Sequence, residues 1–236
     1  MSPSNPLSLP EPIHSFLTTL HAKSLAQEAA LPPDTFLTSH QTKPSFDALM
    51  VDKFIALDQD KCEFVYQTLR ASGATTVVEA GTSFGVSTIY LALGVLENVK
   101  ARAGGEGQSE GKPKAGKVIA TEKEPAKAAL ARQYWAQAGS EVAGVIDLRE
   151  GDLRETLSWT QEEVGFLLLD IWTPMALPAL KAVQDKLKPG ALIIADNTIA
   201  AKDGYKELFE YVDQEGSPYK RVTLPFKGGM DMIIYK

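Results

Sequence analysis

From Thr75 onward, short apolar runs alternate with stretches of helical spacing. The runs predict strands at Thr75–Ala80, Lys117–Thr121, Val145–Arg149, Val164–Asp170 and Ala191–Asp196. Between them the spacing predicts helices at Val86–Lys100, Pro125–Ala138, Asp152–Leu157 and Pro174–Leu187. In the last, Leu177, Leu180, Val183 and Leu187 mark the buried stripe. Near-continuous apolar strands belong to parallel sheets covered on both faces. Right-handed βαβ units then give an α/β, doubly wound, mostly parallel sheet. After a helix at Lys202–Gln214, Arg221–Leu224 and Met230–Tyr235 flank Pro225–Gly229 and read as a terminal antiparallel pair.

The first third of the chain reads as helices. Met1–Pro12 is Pro/Ser-rich and expected to be mobile. Ile13–Ala30 is predicted helical, with Ile13, Phe16, Leu17, Leu20 and Leu25 on or near one face, and Pro32-Pro33 stops it. Lys43-Pro44 precedes a helical stretch around Phe46–Leu57. In Asp60–Ser72, Cys62, Val65, Tyr66 and Leu69 follow 3–4 spacing, with Gly73 as C-cap. Ala101–Lys117 is rich in Gly, Lys, Ala and Glu without apolar periodicity, and reads as a flexible insert. Residues 1–45 therefore form an N-terminal extension, and 46–236 one α/β domain carrying an insert at 101–117.

At 236 residues and 44% hydrophobic, the chain can bury a large core. A net charge of −6 argues against nucleic acid or an anionic membrane as main partner. Cys62, the single cysteine, forbids an internal disulfide and reads as a packed core thiol in a reducing compartment. The N-terminus lacks a signal-peptide pattern, and no apolar run approaches the ~20 residues of a membrane helix. A cytoplasmic, soluble protein is expected.

Candidate chemistry falls at strand ends, where open α/β sheets bind ligands. Glu79, Gly81 and Gly85 form a turn into a helix N-terminus, which suits an anionic group. Glu122 lies 37 positions after Gly85, or 20 once the 17-residue insert is removed. That offset suits an acid accepting ribose hydroxyls; a solvated acid is the other reading. Gly151-Asp152-Leu153 either faces an adenine edge or is a glycine turn with an Asp helix cap. Asp170, Asp196 and Asn197 are hard oxygen donors suited to Mg²⁺. Alternatively, Asp170 meets an organic ligand and Asp196-Asn197 caps a turn.

Together these segments resemble class I S-adenosylmethionine-dependent methyltransferases, and within them the cation-dependent catechol and caffeoyl-CoA O-methyltransferase group. Glu79–Thr88 matches that group's E-x-G-T-x-x-G-x-S-T turn, and Leu187-Lys188-Pro189-Gly190-Ala191 its turn before the fifth strand, followed by Asp196-Asn197. The resemblance implies a seven-stranded Rossmann-like sheet with an antiparallel C-terminal strand. It implies that Glu79, Gly81, Thr82, Ser83 and Ser87 surround the methionine end of S-adenosylmethionine. Glu122 would hold ribose; Gly151, Asp152 and Leu153 would lie near adenine; Leu57 would touch the cofactor. Asp170 would face the cofactor's amino end and, with Asp196 and Asn197, hold Mg²⁺ or another divalent cation. The extension would close over a small-molecule hydroxyl or carboxyl acceptor and build a homodimer.

One departure stands out. The group often carries a general-base lysine three residues after its first metal-binding aspartate, where this chain has Thr173. Lys202 or His40 would then serve as base, or an acidic acceptor would need none. The same departure admits a relative that binds cofactor with altered or lost catalysis. A nicotinamide-dependent oxidoreductase is a further reading, but Ala80–Gly85 supplies two of the three glycines its fingerprint asks for.

Overall fold

The computed structural model describes residues 7, 9–32, 50–104, 115–158 and 162–236. Seven strands form one sheet: β1 (Thr76–Ala80), β2 (Lys117–Glu122), β3 (Ile146–Glu150), β4 (Val164–Leu169), β5 (Leu187–Asp196), β6 (Tyr219–Leu224) and β7 (Met230–Tyr235). Their order is β3-β2-β1-β4-β5-β7-β6. β1 to β5 pair in parallel, and β7 runs antiparallel to both β5 and β6. The order reverses between β1 and β4, which opens a crevice at their carboxyl ends.

Strand side chains alternate between two faces, and each face has its own core. Val77, Phe166, Leu168 and Ile194 point to one side. There they meet α1 (Glu11–Ala29), α2 (Gln59–Ser72), α3 (Val86–Ala103) and α4 (Pro125–Ala138). Val78, Leu167, Leu169 and Ile193 point to the other. After a short turn of helix, α5 (Ser140–Gly144), that second face is covered by α6 (Leu153–Thr156), α7 (Ala176–Val183) and α8 (Lys206–Asp213).

The differences from the sequence expectation are local. Helix α1 starts at Glu11, so Glu11 and Pro12 leave the segment expected to be mobile, and 1–6 and 8 lie outside the described residues. Leu25 is exposed; Leu17, Leu20, His21 and Ser24 form the buried stripe. Of the stretch 46–57, residues 46–49 lie outside the described residues, while 51–57 are a turn and extended chain rather than helix. That extended chain is held by α1, whose Gln27 and Ser24 side chains accept the Phe54 and Ala56 N–H groups at 2.8 Å each. The expected insert narrows, because α3 runs to Ala103 and β2 starts at Lys117. Residues 105–114 lie outside the described residues. The helix expected at 174–187 keeps α-geometry only over Ala176–Val183, between two 3₁₀ turns. Leu187 opens β5, pairing with Val164 before a register shift. The helix expected at 202–214 likewise begins as a 3₁₀ turn, Lys202–Tyr205. No described helix is long and apolar enough to cross a membrane.

His21 fastens α1 to the body. It is buried, with Nε2 2.9 Å from the Tyr90 hydroxyl of α3. Burial lowers its pKa to about 4, against a smaller upward pull from Asp58 and Asp60. An unfolded histidine near 6.5 takes up a proton more readily than this one. Stability from this group is therefore full above pH 6.5 and is lost as pH falls toward 4. Urea unfolding across that window is expected to show a loss of roughly 2–3 kcal/mol from this group. A His21→Leu variant should show a correspondingly flatter pH dependence.

Candidate functional site

Strand register assembles the site. Ala80 pairs with Thr121 on one side and Leu169 on the other, so Gly81 emerges between Glu122 and Asp170. Leu169 pairs with Ala195, which brings Asp170 and Asp196 to neighbouring places on the rim. Glu122 pairs with Glu150, so Gly151 follows beside it. Gly81 has φ +96°, and a Cβ there would lie 2.0 Å from the Asp170 carbonyl oxygen. Only glycine lets β1 end this close to β4. At Gly85, φ +76°, a Cβ would meet the Trp135 indole at 2.4 Å, and that indole N–H donates to the Gly85 carbonyl at 2.9 Å.

Glu79 is fully buried, and its carboxylate accepts hydroxyls from Thr82 (2.8 Å), Ser87 (2.6 Å) and Thr88 (2.6 Å). Burial raises its pKa, and the three hydroxyls oppose that shift. The first turn of α3 thus already meets a carboxyl group, and it comes from the chain itself. The side chains of Glu79, Thr82 and Ser87 shape the turn and do not line the cleft above it.

That cleft measures about 300 Å³. Gly81, Ser83, Glu122, Gly151, Asp152, Leu153 and Asp170 line it, as do Trp172 and Met175. Glu122 is fixed from two sides: Oε2 accepts the Ser83 N–H and Oε1 the Glu124 N–H, both at 2.7 Å. Burial raises its pKa, against backbone hydrogen bonds and Lys127. Gly151 takes φ +118°, and Asp152 caps α6 by accepting the Arg154 N–H at 2.9 Å. The cap and the cleft-lining position are both realised at Asp152. Leu57 faces elsewhere, lining a second cavity of about 340 Å³ with His21, Ser24 and Asp58.

At the end of β5 the structure departs most from expectation. Lys61, in the first turn of α2, is buried, and its Nζ lies 2.8 Å from Asp196 Oδ1 and 3.4 Å from Asp58 Oδ2. Burial alone would lower the Lys61 pKa, but Asp196 and Asp58 outweigh it and raise it. Asp170 is pushed well above the usual carboxylate range by burial first, then by Asp196 and Glu79. Asn197 has φ +57° and is exposed, and its carboxamide oxygen packs against Gly228. A divalent cation at Asp170, Asp196 and Asn197 does not fit these residues. An ammonium already lies 2.8 Å from Asp196 Oδ1, and the exposed Asn197 has its carboxamide oxygen beside Gly228. Among the described residues, no three His, Cys, Asp or Glu side chains are grouped to hold a metal.

The candidate bases are dispersed. Lys202 is exposed and does not line the cleft. His40 lies outside the described residues. Thr173 packs against Gly204, where a Cβ would fall 1.8 Å from its hydroxyl. Sequence reading missed Lys61, although a lysine at 61 on a stripe with Val65 and Leu69 is the signal that marks it.

A family model described as a methyltransferase domain matches residues 78–198. Solved structures share the fold. A Klebsiella pneumoniae protein assigned as an O-methyltransferase superposes with a TM-score of 0.67 at 19% identity, over 98% of this chain and 92% of its own. The O-methyltransferase from Bacillus cereus in complex with SAH gives 0.64 at 19% identity, over 95% and 100%. TomG from Streptomyces achromogenes, an O-methyltransferase of tomaymycin synthesis in complex with SAM, gives 0.65 at 18% identity, over 89% and 98%. No curated protein sequence matches the chain.

Two glycine variants separate backbone strain from close approach. At Gly190, φ +81°, a Cβ would meet nothing within 4 Å. Gly190→Ala is expected to cost about 1–2 kcal/mol in urea unfolding from left-handed strain alone. Gly81→Ala should cost about 1–3 kcal/mol more, because its methyl overlaps the Asp170 carbonyl.

Proposed function

The chain belongs to the methyltransferase-domain family, and from that premise we propose that it moves the methyl group of S-adenosylmethionine to an oxygen of a small-molecule acceptor. The observation that carries this reading is the register at the reversal of strand order. It sets Gly81, Glu122, Gly151 and Asp170 around a single cleft. The cofactor carries a positive sulfonium and a positive amino group, which suit a cleft edged by carboxylates.

In this reading each side chain has one task. The bare Gly81 backbone lets the methionine portion lie against the turn. Glu122, held by two N–H groups, uses its remaining lone pairs for the ribose hydroxyls. Gly151 to Leu153 border the adenine, and Asp170 faces the amino group. Transfer is an in-line displacement: the acceptor oxygen bonds to the methyl carbon as the carbon–sulfur bond breaks, and both electrons leave with sulfur. Holding oxygen, carbon and sulfur in line supplies much of the acceleration. Thr173 packs against Gly204 and Lys202 stands outside the cleft, so neither is placed as a base. With no base placed by Thr173 or Lys202 among the described residues, the acceptor that suits such a site reacts through an already ionised oxygen, a carboxylate or an acidic hydroxyl. The divalent cation expected from the sequence has no step here, because Asp196 faces Lys61.

Calorimetric titration with S-adenosylhomocysteine tests the reading. One equivalent is expected to bind. Glu122→Ala should weaken binding by about 10- to 100-fold, the usual range for hydrogen bonds to a charged group. Asp170→Ala should abolish transfer to carboxylate and phenol acceptors while the protein remains folded by circular dichroism. Absence of binding to the folded wild-type protein would overturn the reading, and binding of a nicotinamide dinucleotide instead would put an oxidoreductase in its place.

A further inference from the structure

Acidic residues from three elements lie near one another where β4, β5 and the start of α2 meet, without forming a metal-holding triad among the described residues. Asp170 and Asp196 end paired strands, and Asp58 precedes α2. Such a cluster calls for a cation. The chain provides one: the Lys61 ammonium, 2.8 Å from Asp196 and 3.4 Å from Asp58, on a side chain 2% exposed. Its stem belongs to the stripe that continues through Val65 and Leu69 into the core. The ammonium is therefore anchored by the docking of α2 and is not a mobile surface charge.

We propose that Lys61 is the resident cation of this site, standing where a divalent metal would have to sit, so that the chain binds its cofactor and transfers methyl without a metal. The reasoning is steric and electrostatic. A metal bound through Asp196 would have to share that carboxylate with an ammonium already in contact with it, against like-charge repulsion in a buried setting. The remaining expected donor, Asn197, has its oxygen against Gly228. Lys61 is a positioning residue: it holds Asp196 and Asp58 together, and through them the rim beside Asp170. The role of that rim in transfer rests on the methyltransferase reading above; the exclusion of metal does not.

The test begins with wild-type protein. Mn²⁺ binding is followed by the paramagnetic resonance of the free ion, with and without S-adenosylhomocysteine. Methyl transfer is compared in Mg²⁺ and in EDTA. The expected results are no stoichiometric Mn²⁺ binding and equal transfer in the two buffers. One equivalent of Mn²⁺ bound by the wild type, or transfer abolished by EDTA and restored by Mg²⁺, would overturn the proposal. Lys61→Gln removes the charge and leaves the carboxylates, so its Mn²⁺ affinity should rise by at least about tenfold. Lys61→Arg keeps the charge and should gain none. A folded Lys61→Gln protein that still binds no Mn²⁺ would also overturn the proposal, because Lys61 would not be what keeps metal out. Should Lys61→Gln fail to fold, the wild-type measurements decide alone. Should S-adenosylhomocysteine fail to bind, the methyltransferase reading falls while the Mn²⁺ measurements still decide the place of Lys61.

Discussion

The buried carboxylate of Glu79 is the constraint on which this site depends. A charge with no access to water is costly unless several donors meet it. Here Thr82, Ser87 and Thr88 supply three hydroxyls, two of them from the first turn of α3. The carboxylate therefore ties together the end of β1, the turn after it and the start of the next helix. With that turn fixed, Gly81 comes against the Asp170 backbone and Ser83 directs its N–H at Glu122. An acid that looks like a ligand contact in the sequence is enclosed at the helix N-terminus by hydroxyls of its first turn, a role in which position matters more than exposure.

The same accounting of charge governs the far side of the cleft. Asp58, Asp170 and Asp196 crowd one corner, and burial together with mutual repulsion raises Asp170 and Asp196 above ordinary carboxylates. Lys61 relieves part of that repulsion. The segment after Asn197 is held independently: Thr198 donates to Asp231, fully buried, which also accepts Arg221. The Tyr205 hydroxyl donates to the Asp196 carbonyl at 2.7 Å. The rim of β5 is thus clamped from α2, β6, β7 and the 202–205 turn.

Much of this was legible in the residues because it is local. A parallel strand buried on both faces writes a continuous apolar run, and the residues just past the runs reach the sheet's carboxyl edge, so the cleft-lining Gly81, Glu122, Gly151 and Asp170 are readable from the residues, whereas Asp196 is buried against Lys61. What was not legible depends on contacts far apart in sequence. Lys61 and Asp196 are joined by the docking of α2 onto the sheet, and an apolar-periodicity reading passes over a lysine on the buried stripe. The motif implies that Thr82 and Ser87 touch the cofactor, and the resemblance over 50–61 implies the same for Leu57. Hydroxyls next to a buried acid turn toward it, and Leu57 follows the extended chain captured by α1. The stretch 174–187 read as one helix because its apolar spacing persists through 3₁₀ geometry, where periodicity changes too little to see over three residues.

The placement of charge also bears on what the site can do with an acceptor. Enzymes that remove a proton from a neutral hydroxyl need a base within hydrogen-bond reach of it. Lys61 is poorly suited, since its carboxylate partners favour the ammonium and its side chain is enclosed. Thr173 is turned into the 202–205 turn, and Gly204 accommodates it only because it lacks a side chain. Under the methyltransferase proposal, a site arranged in this way would hold an oxygen that arrives ionised and keep sulfonium and nucleophile in line. Such chemistry asks the protein for position and a fixed field rather than proton transfer. The buried ion pair between α2 and β5 would contribute a fixed charge arrangement of the kind through which electrostatic preorganisation acts.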